Sequence, residues 1–248
     1  MSATLFVSDL HLAAERPDKT AAFIDLLGAA GGRVQALYVL GDLFEIWLGD
    51  DDATAPHPEV IAAMRALSDA GTALYVMRGN RDFLFGEDFA AASGAVLLPD
   101  HHVISLAGAS TLLMHGDLLC TLDVKYQEFR RYVRDPGNQA AFLGQPLAQR
   151  RAIAAQTRAG TQASMLEKDD FIMDVEQATV DATMREHGVH RLLHGHTHRP
   201  AVHRFELDGA PAERYVLGDW YDEDIMLWAD EGTLSLMPAA DCRARLAA

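Results

Sequence analysis

Residues 36–42 read Ala-Leu-Tyr-Val-Leu-Gly-Asp, five apolar or aromatic residues suited to a buried strand and closed abruptly by a glycine and a carboxylate. The same form recurs on both sides. Residues 4–7 (TLFV) run into Ser8-Asp9, and residues 73–77 (ALYVM) run into Arg78-Gly79-Asn80. Between the second and third of these strands, Val60, Ile61, Met64 and Leu67 recur at helical spacing after Pro58, a residue that suits a first helical turn. Strands alternating with helices predict an α/β chain with a largely parallel sheet covered by helices. In such sheets ligands gather outside the carboxyl ends of the strands, so the polar residues that close each strand are the ones to follow.

Two more strands end the same way. Residues 110–114 lead to His115-Gly116-Asp117, and residues 191–193 lead to His194-Gly195-His196-Thr197-His198. Five strand ends, expected on one edge of one sheet, thus carry Asp9 and His11, Asp42, Asn80, His115, and His196 with His198. Residues two apart in an extended turn point the same way, so each of those pairs can aim at one centre. Carboxylate, imidazole and amide oxygen together suit divalent Mn, Fe or Zn, and Gly41 and Gly195 leave room for tight backbone turns beside an ion.

Between the fourth and fifth strands, residues 123–168 are rich in Ala, Gln, Arg and Leu and are broken at Asp135-Pro136-Gly137-Asn138 and Gly144-Gln145-Pro146. They predict a helical insertion of two or three helices within a single domain spanning 1–248. The insertion holds eight bases against four acids, a charge of +4, while the rest of the chain holds −19 of the total −15. Its apolar residues, among them Phe129, Val133, Phe142, Leu143, Leu147, Ile153, Met165 and Ile172, are expected mostly to pack a small core of their own. Asp174 to Gln177 resembles a capping box that should start a helix running to about His187. Beyond residue 200 four alternating runs predict antiparallel strands, with a turn at Asp208-Gly209.

The 248 residues are 49% hydrophobic and 23% charged, an ordinary globular composition long enough to bury a large core without disulfides. Cys120 and Cys242 are far apart and form no CxxC pair, which excludes a disulfide scaffold and fits a reducing cytoplasm. The opening MSATLFVSD reaches an acid before any base and is not expected to be a signal peptide. A net charge of −15 repels polyanions, so no nucleic-acid partner is expected.

The order of the blocks, DxH, GD, GN, H and GHxH, resembles the calcineurin-like metallophosphoesterases. That resemblance implies a four-layer metallophosphoesterase fold, two packed mixed sheets flanked by helices, with the helical insertion as a lid. It also implies two divalent ions. Asp9, His11 and His198 would hold the first, Asn80, His115 and His196 the second, and Asp42 would bridge them. Such a pair activates a water, aligns it with phosphorus and neutralises the equatorial oxygens.

Where many members of that superfamily have His after Gly-Asn, this chain has Arg81. A guanidinium does not donate a proton to a leaving group but binds phosphate oxygens well, which points to a phosphoanhydride. The wider words SDLHL, GDLFEIWLGDD, GNRDFL, MHGD, LDVKYQEFRR, IMDV and HGHTHRP, spread from Ser8 to Trp220, resemble the UDP-2,3-diacylglucosamine hydrolases of the lipid A pathway. Membership there implies cleavage of a lipid-linked UDP-sugar to UMP and a lipid phosphate, with Mn2+ as the metal. It further implies peripheral work at the anionic, cytoplasmic face of the inner membrane. Catalysis would then rest on Asp42, Asn80, Arg81 and His115. Substrate contacts would come from Asn80, Arg81, Asp123, Tyr126, Arg158, Thr161, Lys168 and His196. The chain departs from that family's pattern at Thr161, where Ser is usual, and at Met165, where Asn is usual and whose thioether removes a donor and a carbonyl acceptor. The alternatives are a dinucleoside polyphosphate hydrolase or phosphodiesterase of the same superfamily, disfavoured by Arg81, and a non-catalytic metal-binding interaction protein, disfavoured by the complete ligand set.

Overall fold

A computed structural model describes residues 3–165, 174–221 and 224–247, with side chains 159–165 outside the description. In the first sheet β1 (Thr4–Val7), β2 (Ala36–Leu40), β3 (Ala73–Met77) and β4 (Val96–Leu97) run parallel. Helices α1 (Pro17–Ala30), α2 (His57–Asp69) and α3 (Glu87–Ser93) cross between them. The sheet is extended past β1 by two antiparallel strands, β10 (Ile225–Asp230) and β11 (Thr233–Pro238). The second sheet has the order β5 (His102–Leu106), β6 (Ala109–Leu113), β7 (Arg191–His194), β9 (Ala210–Val216), β8 (Ala201–Leu207), with β6, β7 and β9 mutually parallel. β8 and β9 form the hairpin expected at Asp208-Gly209, both residues having positive φ, as a tight two-residue turn requires.

Period-two alternation builds the layers. In β1, Leu5 and Val7 pack against α1, α2 and C-terminal α8 (Ala239–Ala247), while Phe6 faces the second sheet. In β2, Leu37 and Val39 take the helix side and Tyr38 and Leu40 the sheet side. A strand with both faces covered is apolar throughout, which is why 36–40 has no polar residue. Phe6, Tyr38 and Tyr75 stack across β1, β2 and β3 with centroids 4.9 and 4.6 Å apart. Behind the second sheet, Leu112, Met114 and Leu192 pack on Val180 and Met184 of α7 (Gln177–Glu186). The result is helices, sheet, sheet, helix.

Three sequence expectations are corrected. The five ligand-bearing strand ends lie on two packed sheets rather than one: β1, β2 and β3 belong to the first, β6 and β7 to the second. Helix α7 begins at Gln177, not Asp174, with Glu176 as its N-cap and the Glu176 carboxylate held by the hydroxyls of Thr121 and Thr179. The insertion forms three helices, α4 (Val124–Arg134), α5 (Pro136–Leu143) and α6 (Leu147–Met165), but no side chain of α4 or α5 is buried. Among the described residues its apolar side chains build no core of their own; the Met165 side chain and Ile172 lie outside the description. Phe129, Val133, Phe142 and Ile153 instead line a cleft of about 600 Å3 against Trp47, Leu48, Phe83 and Leu84 of the body.

The insertion's positive charge holds it to that body. Arg130 pairs with Asp100 and Asp117, Arg134 with Asp100, Arg150 with Asp51, Arg151 with Asp52 and Arg158 with Glu45. Arg150 is buried and also donates to the Leu48 carbonyl, so it acts as an anchor rather than a solvated ion pair.

Candidate metal centre

Each ligand-bearing loop leaves the carboxyl end of a strand; backbone hydrogen bonds tie the β1 loop to the β2 loop, Asp9 to Gly41 and His11 to Asp42, and the β7 loop to the β6 loop, Gly195 to His115. Asp9, His11, Asp42, His196 and His198 all have φ between 48° and 69°. The expected extended turns are therefore left-handed ones, an uncommon conformation that concentrates where function demands it. The glycines make room. A Cβ on Gly195 would lie 2.2 Å from Asp9 Oδ2, and one on Gly79 would lie 2.1 Å from Asp42 Oδ1.

All seven candidate ligands converge. His11 Nε2 and His198 Nε2 are 3.3 Å apart, and Asp9 Oδ1 lies 3.4 Å from His198 Nε2 and 4.0 Å from His11 Nε2. Beside this group, Asn80 Oδ1 is 3.0 Å from His115 Nε2 and 2.9 Å from His196 Nδ1. Asp42 Oδ2 sits between the two groups, 3.7 Å from His11 Nε2 and 3.8 Å from His115 Nε2. Asp9 is close enough to Asp42 and His115 to serve either group.

The donor set fits divalent cations. His11 Nδ1 is 2.9 Å from Glu45, His198 Nδ1 is 3.1 Å from Asp219, and His115 Nδ1 is 2.9 Å from the Leu40 carbonyl. At His198 and His115 the acceptor beside Nδ1 turns Nε2 inward, the usual outer support of a metal-bound imidazole, while His11 Nδ1 lies beside Glu45 without a hydrogen bond to it. Asp9 Oδ1 is fully buried and accepts no hydrogen bond. Inward lone pairs and an orphaned carboxylate oxygen repel one another unless positive charge lies among them.

The acid–base balance carries the same imprint. Burial would raise the Asp9 carboxyl, but contact with His198 and the charges of His115, His198 and His11 hold it well below the usual carboxylate range. Burial disfavours a proton on His198, yet Asp219 and Asp9 push its pKa up to about 10. Burial and the neighbouring His115 bring His196 down to about 4. Asp9 and Asp219 thus favour positive charge on His198, at the place a cation would take.

Sequence reasoning missed the supporting acids. Glu45 touches His11 and accepts from the hydroxyl of Tyr221, whose ring stacks on His11 at 5.1 Å. Asp82 is fully buried and accepts from the backbone of Asp42, Leu43 and Gly79, welding the Gly-Asp loop to the Gly-Asn loop. Burial and the nearby Asp42 push its pKa up to about 7. Asp117 follows His115 by two residues and accepts from Tyr126 and Arg130.

The cleft opens directly onto the centre, with Asn80, His196 and His198 in its wall. Arg81, Asp123, Tyr126 and Arg158 line it too. The Arg81 backbone N–H donates to Asp42 Oδ1 at 2.8 Å, and its Nε is enclosed without a hydrogen-bond partner. Asp123 caps α4, and Tyr126 spends its hydroxyl on Asp117. The Thr161 and Met165 side chains and all of Lys168 lie outside the described residues.

The calcineurin-like phosphoesterase family model matches residues 3–200. Three curated relatives similar to this chain are each named UDP-2,3-diacylglucosamine hydrolase. That of Chromohalobacter salexigens is 54% identical over 217 residues, 88% of this chain and 88% of its own. That of Aeromonas hydrophila is 52% identical, covering 90% of this chain and 93% of its own, and that of Stenotrophomonas maltophilia is 48% identical, covering 94% and 97%.

Proposed function

The chain belongs to the calcineurin-like phosphoesterase family, and on that premise we propose that it hydrolyses the pyrophosphate bond of UDP-2,3-diacylglucosamine to UMP and 2,3-diacylglucosamine 1-phosphate. The observation that carries this reading is the cleft. Its floor is a polar centre suited to cations, and its walls are apolar side chains of both the insertion and the body. A pyrophosphate with acyl chains a sugar's width away needs those two chemistries side by side.

In this reading Asp9, His11 and His198 would hold one Mn2+ ion and Asn80, His115 and His196 a second, with Asp42 available to both. Bound there, they supply an activated water and neutralise phosphate charge. The chain's own residues do the rest. Arg81 turns its free Nε toward a phosphate oxygen and stabilises the departing lipid phosphate as an anion, with no proton required. Asp123 and Tyr126 bound the sugar side of the cleft, and Thr161 and Lys168 join them on the strength of the family resemblance. Arg158 reaches substrate by exchanging Glu45 for a phosphate. The insertion acts as a lid whose apolar face takes the acyl chains.

The substrate is drawn from the cytoplasmic face of the inner membrane. Phe129, Tyr132 and Ile153 of the cleft wall are 41%, 64% and 36% exposed and offer an apolar mouth to a lipid surface. No helix among the described residues is long and apolar enough to cross a membrane. The test is to incubate Mn-loaded protein with UDP-2,3-diacylglucosamine, UDP-N-acetylglucosamine and a dinucleoside tetraphosphate. UMP released chiefly from the first supports the reading. Faster turnover of the dinucleotide would replace it.

A further inference from the structure

The candidate centre straddles two sheets. Asn80 follows β3 of the first sheet, and His115 follows β6 of the second, yet Asn80 Oδ1 and His115 Nε2 must stay 3.0 Å apart. Backbone ladders do not fix that distance, because the two strands belong to different sheets. Helix α4 of the insertion spans the gap. Arg134 donates to the carbonyl of Gly79 at 3.0 Å and to that of Arg78 at 3.3 Å, gripping the loop immediately before Asn80. One helical turn earlier, Arg130 donates at 2.6 Å to Asp117, in the loop immediately after His115. Asp100 accepts from both arginines, through Oδ2 at 2.6 Å and Oδ1 at 3.3 Å, and locks them side by side. Positions four apart share a helix face, so one face of α4 holds both loops.

We propose that Arg130 and Arg134, braced by Asp100, are positioning residues that set the spacing of Asn80 and His115 and so couple the substrate-covering insertion to one half of the metal centre. The inference rests on the two-ion reading above. Arg130 is 11% and Asp117 3% exposed. Enclosing such a pair is costly and a weak source of stability, which suits a role in placement better than one in holding the fold together.

The test titrates Mn2+ into the metal-free protein and follows binding by electron paramagnetic resonance, for wild type, Arg134→Gln, Arg134→Lys and Asp100→Asn. Asp100 is 41% exposed, so its variant keeps the measurement open should the arginine variants misfold. Removing outer support of metal ligands typically weakens affinity by about 10–100-fold. Arg134→Gln and Asp100→Asn are expected to weaken one ion by that factor and leave the other within about twofold. Arg134→Lys, which keeps the charge but loses the fork, recovers only part. In steady-state assays kcat falls while KM for the lipid substrate holds. Two ions bound by both variants with wild-type affinities overturn the brace alone. Fewer than two ions in wild type overturn the two-ion reading and the brace with it.

Discussion

Asp9, His11, Asp42, His196 and His198 gain their aim from left-handed backbone, each such residue costing of order 1–3 kcal/mol that the surrounding contacts must offset. Their identities were legible in sequence because each ligand sits within a few residues of a strand end. Glu45 and Asp219 were not, because they join the site through space rather than through spacing, and Asp82, though it closes the Gly79-Asn80-Arg81-Asp82 block, gives no sign in sequence that it binds the Gly41-Asp42 loop. Of the ligands, Asp42 faces both groups, so Asp42→Ala should abolish turnover by several orders of magnitude while circular dichroism stays native. Asp9→Ala and His198→Ala should be partly rescued at high Mn2+ because each mainly weakens one ion. Normal rates in a metal-stripped Asp42→Ala preparation would defeat the two-ion reading. At Arg81 the question is the leaving group. Lipid phosphate departs as a stable anion, an alkoxide does not, and a guanidinium cannot protonate either. The protein should therefore cleave pyrophosphates well, aryl diesters less well and alkyl diesters poorly, and Arg81→Ala should severely damage pyrophosphate cleavage. A leaving-group series at fixed Mn2+ and pH reads both, and equal rates for alkyl diesters would count against the assignment.

Among the elements, the strands that name the fold were legible because both their faces are buried and no polar residue interrupts them. β4, only two residues long, and β5, with His102 and Ser105 in it, carry too little of that pattern to stand out. α7 starts late because neither acid caps it through its side chain: the Glu176 carboxylate is taken by the hydroxyls of Thr121 and Thr179, and Asp174 pairs with Arg199. The insertion was legible as helical but not in what it packs against, since an apolar stripe looks the same whether it faces a core or a cleft. Its attachment is the element-scale question. Arg150 is 2% exposed and bonds Asp51 and the Leu48 carbonyl, and hydrogen bonds to a charged group contribute about 1.5–3 kcal/mol. Arg150→Met should free α6 from the loop at 48–52, raise KM for the lipid substrate and speed proteolysis between residues 135 and 165, with kcat little changed. Wild-type proteolysis and KM would mean that the remaining ion pairs suffice.

In the whole molecule, the excess of +4 in the insertion and −19 elsewhere closes on itself, since Arg130, Arg134, Arg150, Arg151 and Arg158 are all matched to acids of the body. The charge asymmetry seen in the sequence therefore works first as a clamp, and what the clamp encloses is the apolar cleft above the centre. Substrate preference should follow from that enclosure. Each buried methylene contributes up to about 0.8 kcal/mol, so four of them give about 3 kcal/mol, more than a hundredfold in kcat/KM. UDP-2,3-diacylglucosamine should thus be preferred over UDP-N-acetylglucosamine by at least two orders of magnitude. Across a series of shorter acyl chains the preference should climb with length and level off once the cleft of about 600 Å3 is full. Ile153→Asp places a charge in the wall and should erase most of the preference while leaving UDP-N-acetylglucosamine turnover alone, because the polar floor is untouched. A flat dependence on acyl length in wild type, or an undiminished preference in Ile153→Asp, would mean that the chains lie elsewhere and that the cleft serves another purpose.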